Sequence, residues 1–354
     1  MKFGHPAHRG FARAVGATDV PMTQPEGPPA IDSPLTADLV SAMVSPLPER
    51  DVYILENDSA LYLAPRIRGE HPGSKIIHLA AADRLIAERG SALVEETRRR
   101  STTRRLEVLI DRHLLRQFLA YCDDVIAVSE LVADRLRPHV TPEMSVRVVN
   151  PYIQPAVYGR LRTVAPDLDS MRAVTIGQWR AHKGVEQLVE AWPEVRERQP
   201  SAELRIIGSG HPARYAETPG VSVCGFVDDI ETELSNASLY VHPAYIEAFG
   251  VSVVEAMCAG LPALVTETTG ARVAVENVDD SLLTTASSQS LAATVSRYFA
   301  TDLRRRSELS RRSREASQSY TEAIQLPRFR NEFQSLVQSL RHERFVHLRK
   351  DREP

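Results

Sequence analysis

Short runs of consecutive apolar residues recur along most of the chain, each closed by a glycine or a polar turn and followed by a stretch of helical period. In the first half, residues 52–55, 75–79, 124–128 and 146–149 have the length and β-branched content of buried strands. In the second half the punctuation is sharper. Residues 173–176 close on Gly177, 204–207 on Gly208 and 221–224 on Gly225, and 239–241 and 263–265 add two more strands. The intervening segments read as helices. Ser129 is placed to cap a helix over 130–137. Residues 184–198 put Val185, Leu188, Val189 and Trp192 on one face. Helices are also predicted over 230–237, over 251–259 (stopped by Gly260 and Pro262), and over 288–301 and 303–340. Residues 92–121 read as an arginine-rich helix or helix pair, and 1–35, rich in Pro, Gly and polar residues, as loop.

Strands that are apolar throughout and alternate with helices predict an α/β fold of doubly wound parallel sheets, with ligands expected at the carboxyl ends of the strands. The chain's 354 residues exceed one comfortable core, so two domains are expected, 1–162 and 163–321, joined in the weakly periodic stretch 159–171.

Composition narrows the chemistry. A net charge of -3 gives no global field toward nucleic acid, which is excluded as a partner. Cys122, Cys224 and Cys258 are far apart and odd in number, which fits core filling in a reducing cytoplasm. No metal-ligand spacing is present. No stretch approaches the ~18 apolar residues that span a bilayer, and no apolar leader opens the sequence.

The most informative run is Glu247-Ala248-Phe249-Gly250-Val251-Ser252-Val253-Val254-Glu255-Ala256-Met257-Cys258-Ala259-Gly260-Leu261-Pro262. It reads as strand end, loop and helix. Gly250 allows close backbone approach, and the helix that follows presents free N–H groups and the positive end of its dipole, a site suited to a diphosphate. Glu255, about two turns beyond Glu247, can accept hydrogen bonds from a ribose diol. A second run, Gly177-Gln178-Trp179-Arg180-Ala181-His182-Lys183-Gly184, sets cations in a strand-to-helix loop, where they can neutralise a departing phosphate.

The first run resembles the E-x7-E motif of family-four GT-B glycosyltransferases (glycosyl transferases group 1), across a whole strand-loop-helix-strand unit. The resemblance implies two Rossmann-like domains facing a central cleft, with the last helix, about 322–354, returning to the first domain. It implies that Glu247 faces the donor sugar, that Phe249, Gly250 and Val251 present backbone to it, and that Glu255 binds ribose. In the second run Lys183 matches the family's lysine. Gln178 stands where the family has arginine, and Arg180, two residues on, is the candidate replacement cation. Gly177 and Gly208 then lie beside the donor, and Gly225-Phe226-Val227 resembles the segment that cradles the nucleobase, although a plain strand-end turn reads nearly as well. Gly208-Ser209-Gly210 imitates a dinucleotide fingerprint but has Ala213 where the third glycine belongs.

The first half matches less. Residues 75–78 resemble the family strand that ends in an acceptor-side histidine, here His78, with Asp83 following. A histidine at a strand end serves structure as often as chemistry. The segment 123–130 resembles the family's Asp-x-Val-x-x-x-Ser, and Asn150-Pro151 stands at its Asn-Gly. The family's first Gly-rich loop is not found. Arginines at 98, 99, 100, 104, 105, 112 and 116, interleaved with apolar residues, suit either a helix lying on anionic lipid or, more readily, one packed on the N-terminal sheet with its charges in solvent.

The resemblance implies transfer, with retention, of a sugar from a nucleoside diphosphate sugar to a hydroxyl acceptor, lipid-linked in many relatives. No cofactor or metal is called for, since Lys183, Arg180 and the helix dipole take the metal's part. A cytoplasmic protein is expected, with contact at the inner membrane face through the arginine-rich helix around 98–119. The rivals are a GT-B sugar-nucleotide epimerase, a relative that binds nucleotide sugar without turnover and, more weakly, a nicotinamide dehydrogenase.

Overall fold

The computed structural model describes residues 6–18, 41–42, 47–57, 59–81, 113 and 115–350, with side chains of the last helix as far as residue 338. The chain divides into two compact units. One gathers the described residues of Met1–Leu85, Ser101–Pro151 and Ala323–Pro354, and the other holds Tyr152–Glu322.

The first unit is built on four parallel strands, β1 (Val52–Glu56), β2 (Lys75–Ala80), β3 (Asp124–Ala127) and β4 (Ser145–Val148), in the order β1-β2-β3-β4. Every residue of β2 is buried, Lys75 included. That buried ammonium lies 2.6 Å from the Asp124 carboxylate and donates to the carbonyl of Leu336 at 2.6 Å. Such pairing is what makes a charge tolerable there. Ser129 caps the helix Glu130–Leu136, its hydroxyl accepting from the Val132 N–H at 3.2 Å.

Residues 6–14, read from sequence as loop, form the helix Pro6–Ala14. Proline opens it, where its missing N–H costs nothing. Ala7 and Phe11 share one face by their i,i+4 spacing and are fully buried, and Phe11 stacks on Phe329 of the last helix at 4.5 Å. Gly10 and the surrounding polar residues hide this short amphipathic pattern. Of the arginine-rich segment, residue 113 and residues 115–119 are helical, and Leu115, Phe118 and Leu119 are buried, Phe118 in a core with Leu61, Leu63 and Ile76. The remainder of 98–119, and Asp83, lie outside the described residues.

The second unit carries six parallel strands, β5 (Arg172–Ile176), β6 (Glu203–Ile207), β7 (Val221–Gly225), β8 (Leu239–His242), β9 (Ala263–Thr266) and β10 (Leu283–Thr284), in the order β10-β9-β8-β5-β6-β7. Counted from its own first strand this is the Rossmann order 3-2-1-4-5-6, whose direction of winding reverses between β5 and β8. Right-handed crossovers therefore put the helices Val185–Arg198 and Val251–Cys258 on opposite faces of the sheet. Ser288–Phe299 packs on the first of these and Leu303–Ser317 on the second. Residues 155–161, beginning again with proline, form the helix Pro155–Leu161.

The continuous helix predicted over 303–340 is two helices, Leu303–Ser317 and Glu322–Lys350, separated by the 3-10 turn Gln318–Tyr320. Tertiary pairing overrides helix propensity at the break. The Ile153 N–H donates to the Tyr320 carbonyl at 2.9 Å, and the Tyr320 ring packs on Phe249 at 5.6 Å.

Candidate functional site

A doubly wound sheet opens a crevice where its winding reverses, here at the carboxyl ends of β5 and β8. Two glycines let the loops nest at that point. Gly208 has φ +132°, and a Cβ there would collide with the carbonyl of Gly177, so the loops after β5 and β6 lie backbone to backbone. Gly184 has φ +65°, and its Cβ would collide with the carbonyl of Pro243. The loop after β5 is thereby seated directly on the loop after β8, and the residue before Gly184 is Lys183.

The Lys183 ammonium pairs with Glu247 Oε2. A second tie runs beside it, from the Tyr245 N–H to the His182 carbonyl at 2.9 Å. Glu247 is held from its other side by the loop after β9. Its N–H donates to Thr268 O at 3.1 Å, its carbonyl accepts from the Gly270 N–H at 2.9 Å, and the Phe249 carbonyl accepts from the Ala271 N–H at 2.7 Å. The Thr266 hydroxyl donates to the Ala244 carbonyl at 2.6 Å beneath them. Three loops thus fix one carboxylate before any ligand arrives.

Gly250, at φ +91°, precedes the helix Val251–Cys258 and supplies no side-chain cap. The Val253 N–H turns back to the Gly250 carbonyl at 3.0 Å, which leaves the N–H groups of Val251 and Ser252 without a partner among the described residues, and the helix dipole favours an anion.

The charges are unequal in character. Burial alone would raise the Glu247 carboxyl, but His242 and the Lys183 ammonium outweigh it and hold the group well below the ordinary carboxylate range. Glu255, on the same helix, has no such partner among the described residues, and burial pushes it up to about 7. His182 is lowered by burial and then by Lys183, and His242 by burial. In both imidazoles burial disfavours the charged form, against the pull of Glu247.

Gly177, Gln178 and Lys183 line one small pocket with Thr175, Ile176, Val185, His211, His242 and Pro243. Gly208 abuts Gly177 behind it. Arg180 lies on the same loop, but its guanidinium is exposed and donates to the carbonyl of its neighbour Trp179 at 2.9 Å. Phe226, 79% exposed, and Val227 follow the end of β7, two strands from the crevice. The Phe249 side chain is buried against Tyr320, so only its backbone borders the site. His78 belongs to the other unit. It is buried on β2 with Nδ1 3.2 Å from the Leu55 carbonyl, and its pKa is pushed down to about 4 by burial. Among the described residues no group of three or more His, Cys, Asp or Glu side chains gathers as a metal site would require.

The sequence reading passed over His242, Tyr240 and His211. The available signal was the polar pair at 240 and 242, alternate positions and so one face of a strand that is otherwise apolar.

Residues 171–301 match the glycosyl transferases group 1 family. The matched segment contains β5 to β10 and with them Lys183, Glu247 and Glu255. An uncharacterized glycosyltransferase of Methanocaldococcus jannaschii is 30% identical over 150 residues, 37% of this chain and 38% of its own length. The D-inositol 3-phosphate glycosyltransferase of Corynebacterium efficiens is 26% identical over 199 residues, 49% of this chain and 47% of its own. This chain therefore spans less than half the length of these curated relatives. Among solved structures, sucrose-phosphate synthase of Thermosynechococcus elongatus superposes with a TM-score of 0.63 at 19% identity, over 82% of this chain and 74% of that one. The likeness agrees with the two parallel sheets: the fold is α/β, of two Rossmann-like units, as in the GT-B class.

Proposed function

We propose that this chain is a retaining glycosyltransferase that moves a sugar from a nucleoside diphosphate sugar to a hydroxyl acceptor. The observation that carries the reading is the Lys183–Glu247 pair, set at the switch point of a Rossmann sheet and beside the open start of the helix Val251–Cys258. Glycosyl transfer passes through a state that is cationic at the sugar and anionic at the departing phosphate. A site for it needs fixed positive potential for the phosphate and a fixed carboxylate near the sugar. The helix start and Lys183 supply the first, with Arg180 adding a solvent-screened charge from the same loop. Glu247 supplies the second, as an orienting group kept ionised by its neighbours.

The nucleobase is proposed to lie toward Gly225, Phe226 and Val227, and the ribose toward Glu255. His78, with Asp83, is the proposed acceptor-side pair. The phosphate chemistry is within reach of Lys183 and the helix dipole, so no metal step is proposed. The match to a D-inositol 3-phosphate glycosyltransferase supports a polyol-like acceptor, and a lipid-linked acceptor with contact at a membrane surface is part of the same proposal. Among the described residues no helix is long and apolar enough to cross a membrane.

The test is a donor screen. Purified chain is incubated with UDP, GDP and ADP sugars and a mixture of polyol and lipid-linked acceptors, and the product's anomeric configuration is read by NMR. Transfer with retention is expected. An inverted product, or sugar-nucleotide isomerisation with no acceptor present, overturns the reading.

A further inference from the structure

Beneath Glu247 runs a buried polar line that the donor site does not account for. Tyr240 and His242 sit at alternate positions of β8 and so face the same side, with 0% and 3% of their surfaces exposed. The Tyr240 hydroxyl is 2.8 Å from Ser252 Oγ and 3.1 Å from His242 Nδ1. His242 Nε2 has no hydrogen-bond partner among the described residues and lies 3.4 Å from Glu247 Oε2, the oxygen that already takes the Lys183 ammonium. No described residue bonds the other oxygen, Oε1.

The polarity of this line follows from its end. An ionised carboxylate only accepts, so the nitrogen facing it carries the proton. Nδ1 is then the acceptor, the Tyr240 hydroxyl donates to it, and Ser252 donates to Tyr240. The alternative tautomer would set a bare nitrogen lone pair against a carboxylate. Its Nδ1–H could still be given to the Tyr240 hydroxyl, which accepts as well as donates, so it is the carboxylate beside Nε2 that selects where the proton sits.

The 3.4 Å spacing has a cause in the same geometry: two donors compete for one oxygen, and the ammonium has it. An anionic diphosphate at the helix start would draw the ammonium away. We infer that His242 is the positioning residue for Glu247, its Nε2–H taking Oε2 as Lys183 turns to the donor's phosphate, with Tyr240 fixing the tautomer from behind. The carboxylate then keeps its place, with Oε1 toward the sugar, at the moment its ammonium partner is engaged elsewhere. The inference rests on the glycosyltransferase reading for its consequence in turnover, but not for its geometry.

Two substitutions separate the nitrogens in the full chain. His242→Asn keeps a polar atom near Nδ1 and withdraws the donor facing Glu247, whereas His242→Gln restores an amide N–H near Nε2. With transfer as the readout, His242→Asn is expected to lose about tenfold to a hundredfold in kcat, the worth of a hydrogen bond to a charged group, at unchanged donor KM. His242→Gln is expected to recover most of it. Equal losses in the two variants, or a loss confined to KM, overturn the inference. Heavy-nitrogen-labelled histidine read by NMR, with the signal assigned by its disappearance in His242→Asn, decides the same point without turnover. An Nε2–H tautomer supports the arrangement even in a chain that transfers no sugar, a result that would reject the proposed function alone. An Nδ1–H tautomer overturns it.

Discussion

Lys183 and Glu247, 64 residues apart in sequence, share a contact because Gly184 lets the backbone beside Lys183 rest on the carbonyl of Pro243. The pair is therefore a product of loop seating as much as of charge. The ammonium is held near where a leaving phosphate would sit, and the carboxylate is kept ionised in spite of its burial.

Lys183→Ala and Glu247→Ala should each lower kcat/KM by on the order of a hundredfold or more, the scale of a lost preorganised electrostatic contact. Circular dichroism should show the fold intact in both. Lys183→Ala should also melt lower than Glu247→Gln, because it leaves a buried carboxylate without its ammonium. Near-wild-type turnover in either alanine variant would remove the pair from the mechanism.

Arg180→Ala should behave differently. Its guanidinium is exposed and, among the described residues, donates to its neighbour on the same loop, so its attraction for a phosphate is screened. The expectation is a donor KM raised by a few-fold (about 1 kcal/mol at most), an unchanged kcat, and a difference from wild type that shrinks as salt is added. A fall in kcat comparable to that of Lys183→Ala would place Arg180 at the reacting phosphate instead.

Gly184→Ala and Gly225→Ala form a controlled pair. Both positions have φ near +65° to +69°, so both pay for a left-handed alanine, about 1 kcal/mol. Only at Gly184 does the new Cβ meet backbone, at Pro243. Thermal melts should show Gly184→Ala the more destabilised, with activity lost in proportion as Lys183 is displaced. Equal melting points would mean that the β5 and β8 loops are not locked together as described.

Glu255 gives a pH signature. Its pKa is raised by burial, to about 7 in the folded chain against an ordinary 4.5, so the folded state disfavours its charge. The sign follows: stability from this group is fully present below pH 4.5 and is lost as pH rises toward 7 and through it. Glu255→Gln should remove that fall and raise stability at pH 8 by on the order of 1 kcal/mol. Denaturant titrations of the two proteins across this range measure it. Parallel pH profiles would show that the carboxyl is already solvated or paired.

The second unit was readable from sequence nearly strand by strand, because its strands are short apolar runs, β8 and β9 buried throughout, and the first three close on glycine. Gly177, Gly208 and Gly225 marked the carboxyl edge before any coordinates did. The spacing of Glu247, Gly250 and Glu255 likewise pointed to one helix start. Interactions between distant elements were not readable. That Lys183 meets Glu247 depends on a loop-to-loop approach, and that Tyr240 and His242 form a line under the carboxylate depends on which face of β8 turns inward. The helix Pro6–Ala14 escaped notice because its anchor Phe11 buries itself against Phe329, more than 300 positions later. The division near residue 318 escaped because a backbone pairing with Ile153 decides it.

Phe329 and the Leu336 carbonyl have a bearing on biosynthesis. Phe11 of the helix Pro6–Ala14 and the Lys75 ammonium, already paired with Asp124, each gain a further contact on the last helix, at Phe329 and at the Leu336 carbonyl, so a nascent first unit lacks both. The second unit, whose strands and loops are contiguous, can fold as it leaves the ribosome. The first unit is thus completed only when the last helix has been made, after all the strands of the second unit are already in the chain.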